Sequence, residues 1–356
     1  MNIYINGRFL TQRLTGVQRY AMEIVQTIDR LLQEDNEYCN DKVTLLCPNN
    51  ICNNISLNKI NIKKVGWLHG HLWEQLELPF YARKGVLLNL CNCAPIVKNN
   101  QFVTIHDAAI RAFPYSFSWL FRTWYCCMFY FLKYKSKNIF TVSDFSKNEL
   151  HKYFSFDLNK IIVTYSGIGE IDKCEPDYSI VKRYNLIRGK FVLAVSSINP
   201  SKNFRTILNV AQQMPNQMFV IAGGRNSKIF RSQVVSELKN VKFVGYVSDA
   251  ELVALYRTAL CFVFPSLYEG FGLPPIEAMH FGCPAIVSNA ASIPEVCRDA
   301  VLYCSPKIVS DWVEKIHLIS TDDVLKGNLK KRGKEISDRY NFSAPARRIL
   351  SQMHDK

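Results

Sequence analysis

The chain of 356 residues has no apolar run long enough to span a membrane. The nearest approach, residues 113–134, is interrupted by Arg122. Acidic residues are scarce, 30 against 44 lysines and arginines, and the net charge of +14 asks for an acidic partner. A nucleotide diphosphate, an anionic membrane surface and nucleic acid all fit that charge. No RNP-like, zinc-finger or helix-turn-helix pattern accompanies it, which ranks nucleic acid last. The twelve cysteines contain no CxxC pair, so zinc and redox readings are weak. Most of them lie in apolar or strand-like runs, Cys47, Cys93, Cys261 and Cys304 among them, as buried reduced thiols of a cytosolic protein would. Residues 1–7 lack the basic lead and long apolar core of a signal peptide and read as a strand. Asp-X-Asp, internal repeats and low-complexity tracts are also missing.

What the chain has is a rhythm. Apolar runs at 3–6, 43–47, 61–65, 86–90, 102–106, 138–142 and 161–164 alternate with helical segments, and a second series follows at 191–195, 218–222, 241–244, 260–264, 285–287 and 300–303. Continuous apolar strands separated by helices belong to parallel sheets covered on both faces. Two such series in 356 residues predict an α/β protein of two doubly wound, Rossmann-like domains. The pattern breaks at residues 167–177, where charges, glycine and proline mark a linker. The domains are therefore placed at 1–172 and 173–339.

The chain is organised around residues 264–284, FPSLYEGFGLPPIEAMHFGCP. An apolar strand leads into the turn Glu269-Gly270-Phe271-Gly272, and Pro274 and Pro275 suit the first turn of a helix that Gly282 and Pro284 end. A strand, glycine turn and helix leave backbone N–H groups aimed at the C-terminal edge of a sheet, which is an anion site. Glu269 and Glu277 flank it at E-x7-E spacing, and carboxylates accept strong hydrogen bonds from sugar hydroxyls. Read alone, Glu277 is equally a carboxylate placed in a first helical turn for its dipole.

The whole stretch resembles the signature of the family 4 retaining glycosyltransferases of the GT-B fold, S-x-x-E-G-F-G-L-P-x-x-E-A-M followed by G-x-P-x-x-x-S, here Ser266 through Ser288. Bacterial mannosyl- and rhamnosyltransferases of surface polysaccharide synthesis are the members it is most similar to. The resemblance implies two domains facing each other across a cleft, a nucleotide-sugar site in the second, and a last helix, about 340–356, crossing back to complete the first. It implies donor contacts from Glu277 to the ribose, from Glu269 and the segment Gly270, Phe271, Gly272 and Leu273 to the sugar, and from Lys202 to the diphosphate. In the family's G-Y-V-x-D-x-E-L pattern, here from Gly245, Tyr246 and Val247 onward, the nucleotide base rests on backbone and apolar side chains. Ser248 or Asp249 reads equally as an ordinary helix cap.

Other positions follow from the same comparison. Gly16 stands in the loop after the first strand, where the family carries glycine near the donor phosphates; Arg13 and Arg19 beside it stay unassigned. His106, at the tip of an apolar strand and followed by Asp107, matches the family's His-Asp near the transferred sugar. Ser143 or Ser146 is expected to cap a helix. Lys202 and Asn203 fit the family pattern after the strand at 191–195, but Ser196, Ser197 and Ser201 stand where arginine or glycine is common, so that serine hydroxyls, Arg205 or Arg225 must supply what is missing. Arg298-Asp299-Ala300 stands where the family has Gly-Asp-Ala.

Three segments are read from the residues alone. Residues 70–79 form a short helix stopped at Pro79, with Leu72, Trp73 and Leu76 packed inward; Glu74 or Gln75 is an alternative acceptor contact. His69 and His71 alternate near a glycine, but without a third ligand in the sequence they are not read as a metal site. The segment 113–137, aromatic with lysines at one end, is partly core and suits a membrane interface.

The expected activity is transfer of a hexose or deoxyhexose from a nucleotide-sugar, GDP-mannose or a relative, to a glycan or polyprenyl-diphosphate-linked acceptor, with retention. His106, Glu269 and Lys202 are the expected catalytic residues. No metal or other cofactor, no covalent nucleophile and no nucleic acid partner is expected. The enzyme is expected in the cytoplasm, with contact to the inner membrane surface. Two alternatives are another GT-B enzyme, such as a nucleotide-sugar epimerase or a pyridoxal-phosphate-dependent phosphorylase, and a non-enzymatic basic protein that binds nucleic acid or anionic lipid.

Overall fold

The computed structural model of the chain describes residues 1–195, 199–224 and 238–355. It divides into two compact units, Met1–Ser166 with Asn341–Lys356, and Gly167–Tyr340. The division falls where the expected linker begins, so residues 167–172 belong to the second unit.

Among the described residues, the sheet of the first unit has seven strands, β1 (Asn2–Asn6), β2 (Lys42–Cys47), β3 (Asn61–Lys64), β4 (Val86–Asn89), β5 (Gln101–Thr104), β6 (Ile139–Thr141) and β7 (Ile161–Val163), in the order β3-β2-β1-β4-β5-β6-β7. Every pairing is parallel. The second sheet holds β8 (Phe191–Val195), β9 (Met218–Ala222), β10 (Val241–Gly245), β11 (Cys261–Phe264), β12 (Ala285–Ser288) and β13 (Leu302–Cys304), also parallel, in the order β10-β9-β8-β11-β12-β13. Strand order reverses between β1 and β4 in one sheet and between β8 and β11 in the other. At such reversals the loops beyond the strand ends part, and ligands of open α/β sheets bind there.

The central strands are buried on both faces because helices cover them. Helix Gly16–Glu34 buries Tyr20, Ile24, Ile28 and Leu31, a three-to-four-residue stripe. The C-terminal helix Ser343–His354 packs on it within the same unit, burying Ala346, Ile349, Leu350 and Met353. An Arg347–Asp35 ion pair, a His354–Asp41 contact of 2.6 Å and a bond of 2.9 Å from Asn138 Nδ2 to Gln352 Oε1 hold its edges.

Two expectations fail locally. Pro79 does not stop the helix begun at Gly70. The chain widens into a π-turn over Trp73–Glu77 and continues as helix Leu78–Tyr81, where Pro79 sits in a first turn and its missing N–H costs nothing. The inward face is also different: Trp73, Glu74 and Leu78 are buried, whereas Leu72 and Leu76 face solvent. A buried ion pair of Glu74 with Arg8, Oε1 to Nε 3.1 Å, sets that rotation.

Arg298 ends helix Ile293–Cys297 at φ +51° and ψ −131°, a conformation that only glycine adopts without strain. Its carbonyl accepts from the Tyr303 hydroxyl and its N–H donates to Pro294 O at 3.1 Å, so the turn is held despite the side chain. Arg298→Gly is predicted to stabilise the chain by about 1 kcal/mol, the relief of strain less the added freedom of the unfolded chain. A higher urea midpoint at unchanged slope is the expected result.

Candidate functional site

The loops after β8 and β11 meet at the strand-order reversal of the second unit. Lys202 comes from the first loop and Glu269 from the second, and Lys202 Nζ lies 2.6 and 2.7 Å from the two carboxylate oxygens. Ser266 Oγ lies 2.6 Å from Glu269 Oε1 and 3.0 Å from Ser201 O, and Leu267 N donates to Ser201 O at 2.7 Å. The two loops are thereby tied side by side. Ser292 Oγ, within 3.0 Å of the carbonyls of Glu269 and Phe271, closes the turn between them, and Ser288 Oγ donates to Ser266 O at 2.5 Å.

Helix Leu273–His280 starts behind Gly272, whose φ of +101° admits glycine. A Cβ there would come within 2.7 Å of Ile293 Cδ1, a second reason for glycine. The helix begins at Leu273, and Pro274 and Pro275 remove two of the N–H groups that a helix start ordinarily presents. This corrects the expectation of a row of bare helix amides. Phe271 is buried, with its ring edge-on to Tyr340 at 5.3 Å. Glu277, one helical turn in, is buried and accepts a bond of 3.1 Å from Tyr256 Oη. Tyr256 is supplied by helix Asp249–Thr258, which Ser248 caps through a reciprocal pair of bonds with Glu251.

Asn203, expected at the donor, has a scaffold role through its amide nitrogen. In the left-handed conformation, its Nδ2 donates to Pro265 O at 3.1 Å and Pro306 O at 2.7 Å, which commits both amide hydrogens. Tyr246 is largely exposed after β10, and its hydroxyl lies over Gly224, where a Cβ would approach it to 2.3 Å. Val247, beside it, is half-buried. Ser196, Ser197 and Arg225 lie outside the described residues, and Arg205 is exposed on helix Phe204–Gln213.

His106 and Gly16 belong to the first unit. Gly16 is exposed and opens helix Gly16–Glu34, capped by Thr15 with Gln18. His106 is buried beyond the end of β5. Its Nε2 bonds Leu90 O at 3.0 Å, its backbone N–H donates to Asn92 Oδ1 at 2.7 Å, and its ring stands edge-on to Tyr20 at 4.8 Å. A carbonyl only accepts, so Nε2 carries the proton and Nδ1 keeps its lone pair. Burial lowers the His106 pKa to about 4, against a smaller raising effect from the Leu90 bond. The imidazole is therefore a neutral acceptor at physiological pH.

At the β1/β4 reversal, Glu74 Oε1 takes bonds from Arg8 Nε at 3.1 Å and Asn6 Nδ2 at 2.8 Å, and Oε2 takes one from His71 Nδ1 at 3.2 Å. Burial works against the charge on Glu74, yet the His71 bond and Arg8 bring its pKa below the ordinary carboxylate value. Ligand atoms of His71, Glu74 and Cys93 lie within 4.8 Å of one another, so a third candidate ligand to His71 exists that spacing did not reveal. Arg8 already supplies the cation that balances Glu74. Gln75 is used in packing, bridging Ala94 O and Ile96 N at 3.0 Å each. The Ser143 hydroxyl caps helix Asp144–Phe154 by accepting from Ser146 N at 3.0 Å.

Residues 182–336 match the family model described as glycosyl transferases group 1. The chain carries a group 1 glycosyltransferase domain. Over 195 residues the chain is 33% identical to O-antigen chain mannosyltransferase B of Escherichia coli, covering 49% of each, so the match spans about half the length of that relative. It is 26% identical over 318 residues to O-antigen chain mannosyltransferase RfbU of Salmonella typhimurium, covering 85% of this chain and 86% of the relative. Sucrose-phosphate synthase from Thermosynechococcus elongatus superimposes with a TM-score of 0.76 at 16% identity over 99% of this chain and 98% of its own. The fold is GT-B. Lys202, Glu269, Gly270–Leu273, Tyr246, Val247 and Glu277 all lie within the glycosyltransferase domain. The motifs give no role to Ser292, nor to Tyr256, whose position in an amphipathic helix signals only packing.

The depressed His106 pKa gives a pH dependence of known sign. Between pH 6.5 and about 4 the unfolded chain binds the proton and the folded chain does not. This contribution to stability is therefore level above pH 6.5 and declines below it, by about 3 kcal/mol at pH 4. Urea unfolding of wild type and His106→Gln across that range is expected to show a difference that narrows as pH falls.

Proposed function

We propose that this glycosyltransferase takes a hexose or deoxyhexose from a nucleotide-sugar and transfers it, with retention, to a hydroxyl of a glycan or polyprenyl-diphosphate-linked oligosaccharide in surface-polysaccharide synthesis. The reading places it on the cytoplasmic face of a membrane. The names of the two O-antigen relatives support mannose and hence a GDP-mannose type of donor. The observation that carries the reading is the Lys202–Glu269 pair at the β8/β11 reversal with buried Glu277 eight residues on.

In this reading Glu277, held by Tyr256, accepts the ribose hydroxyls. Glu269 accepts from hydroxyls of the sugar, and the N–H groups of the Gly270–Leu273 turn face the donor. The bond from anomeric carbon to diphosphate oxygen breaks, and its electron pair goes to the diphosphate, where the Lys202 ammonium stabilises the growing charge. The acceptor oxygen attacks on the face the diphosphate leaves, and its proton passes to a diphosphate oxygen. Neutral His106 accepts a hydrogen bond from a hydroxyl of the transferred sugar through Nδ1. No step is assigned to a metal.

Thermal-shift titration with GDP, UDP and dTDP, followed by donor hydrolysis across a nucleotide-sugar panel, tests the reading. Stabilisation by one nucleotide at sub-millimolar concentration and release of its sugar are expected; no response to any nucleotide would sink it. Glu277→Ala is expected to lose about 2–3 kcal/mol of nucleotide affinity, and unchanged affinity would remove Glu277 from the ribose. His106→Ala is expected to abolish turnover at near-normal nucleotide affinity; wild-type turnover would exclude His106 from the reaction.

A further inference from the structure

Helix Trp119–Lys135 of the first unit turns an apolar side to solvent. Its inward face is Met128, Phe129 and Leu132. On the opposite side Trp119, Leu120, Trp124, Tyr130, Phe131 and Tyr134 are all exposed, Trp119 and Leu120 by 71% each. At 3.6 residues per turn these six, with Thr123 and Cys127, fill about 140° of the helix surface, and no charged residue interrupts them. A soluble helix ordinarily puts its charges on that face. The same stretch is one-sided in charge: residues 108–143 contain Arg111, Arg122, Lys133, Lys135 and Lys137 and no aspartate or glutamate. Lys133 Nζ lies 5.3 Å from the ring centre of Tyr134, its stem alongside the apolar arc.

We infer that this face docks on an anionic lipid bilayer, with the helix lying in the interface. Three observations select that occupant. The arc is rich in tryptophan and tyrosine, whose apolar bodies and polar tips suit the headgroup level. Basic side chains flank it at positions where lipid phosphates would meet them. The helix is about 25 Å long at 1.5 Å per residue, and among the described residues no helix is long and apolar enough to cross a membrane. A second copy of the chain is a poorer occupant, because pairing this face with itself would set two groups of cations against each other. The inference deepens the membrane location proposed above, but its test reads no sugar transfer and stands if that activity fails.

The test is flotation of the full chain with phosphatidylcholine vesicles, with and without phosphatidylglycerol. The wild-type chain is expected to float with the phosphatidylglycerol vesicles and to be released by salt. Leu120→Asp with Phe131→Asp is expected to weaken partition at least about tenfold, since either buried side chain is worth that much; an unchanged melting temperature shows that the variant is folded. Lys133→Glu with Lys135→Glu is expected to erase the preference for anionic vesicles, which keeps the inference testable if the first variant fails to fold. No flotation of the wild-type chain, or equal flotation of both variants, overturns the inference. Self-association that the same substitutions abolish, without vesicle binding, also overturns it in favour of a second copy.

Discussion

The contact between Lys202 and Glu269 organises the second unit. Each charge stands on a loop at the strand-order reversal, and neither is stable alone in so enclosed a place, with side-chain exposures of 22% and 11%. Together they neutralise one another and fix the spacing of the β8 and β11 loops. The remaining bonds serve that arrangement. Asn203 and Thr206 tie the Lys202 loop to Pro306 O at 2.7 and 3.1 Å, while Ser266 and Ser292 hold the Glu269 turn from either side. The charged groups are therefore held in one arrangement by the bonds around them.

The first unit has the same device in a closed form. Arg8 and Glu74 pair at the β1/β4 reversal with side-chain exposures of 7% and 1%, and Asn6 occupies a further lone pair of the carboxylate. Such a sealed pair braces the strand edge and leaves no charge to offer. The polar group that edge keeps is His106, held neutral by burial. One sheet edge thus presents opposed charges within reach of solvent, and the other presents an uncharged acceptor.

Among the described residues, most strands were legible because parallel sheets covered on both faces demand unbroken apolar runs; the edge strand β3, Asn-Ile-Lys-Lys, is exposed throughout and fits the rhythm more than the rule. The strand, glycine turn and helix from Ser266 to Ser288 were legible in the residues, whereas the roles expected of the two glutamates came from the family resemblance. What stayed hidden depends on groups far apart in sequence. Nothing local shows that Arg8 would pull Glu74 inward and leave Leu72 and Leu76 outside, or that Tyr256 would meet Glu277. Asn203 looked like a ligand contact because its neighbour Lys202 does; only the packed loops show both amide hydrogens committed to carbonyls. Composition marked residues 113–137 as partly core and suited to a membrane interface, but not which rings of helix Trp119–Lys135 face outward, since a buried and an exposed aromatic read alike.

On the proposed reading, the Lys202–Glu269 pair also bears on why a nucleotide-sugar would be preferred to a bare nucleotide. A diphosphate that draws the ammonium to itself takes it from Glu269. Among the described residues, the carboxylate would then keep the Ser266 hydroxyl alone, at 11% side-chain exposure, and an under-bonded carboxylate there is costly. Hydroxyls of an attached sugar supply the missing donors, so phosphate and sugar together exchange one balanced set of contacts for another. A nucleoside diphosphate alone completes half of that exchange. The geometry that makes the pair stable without ligand is thus the geometry that rewards both halves of the donor at once.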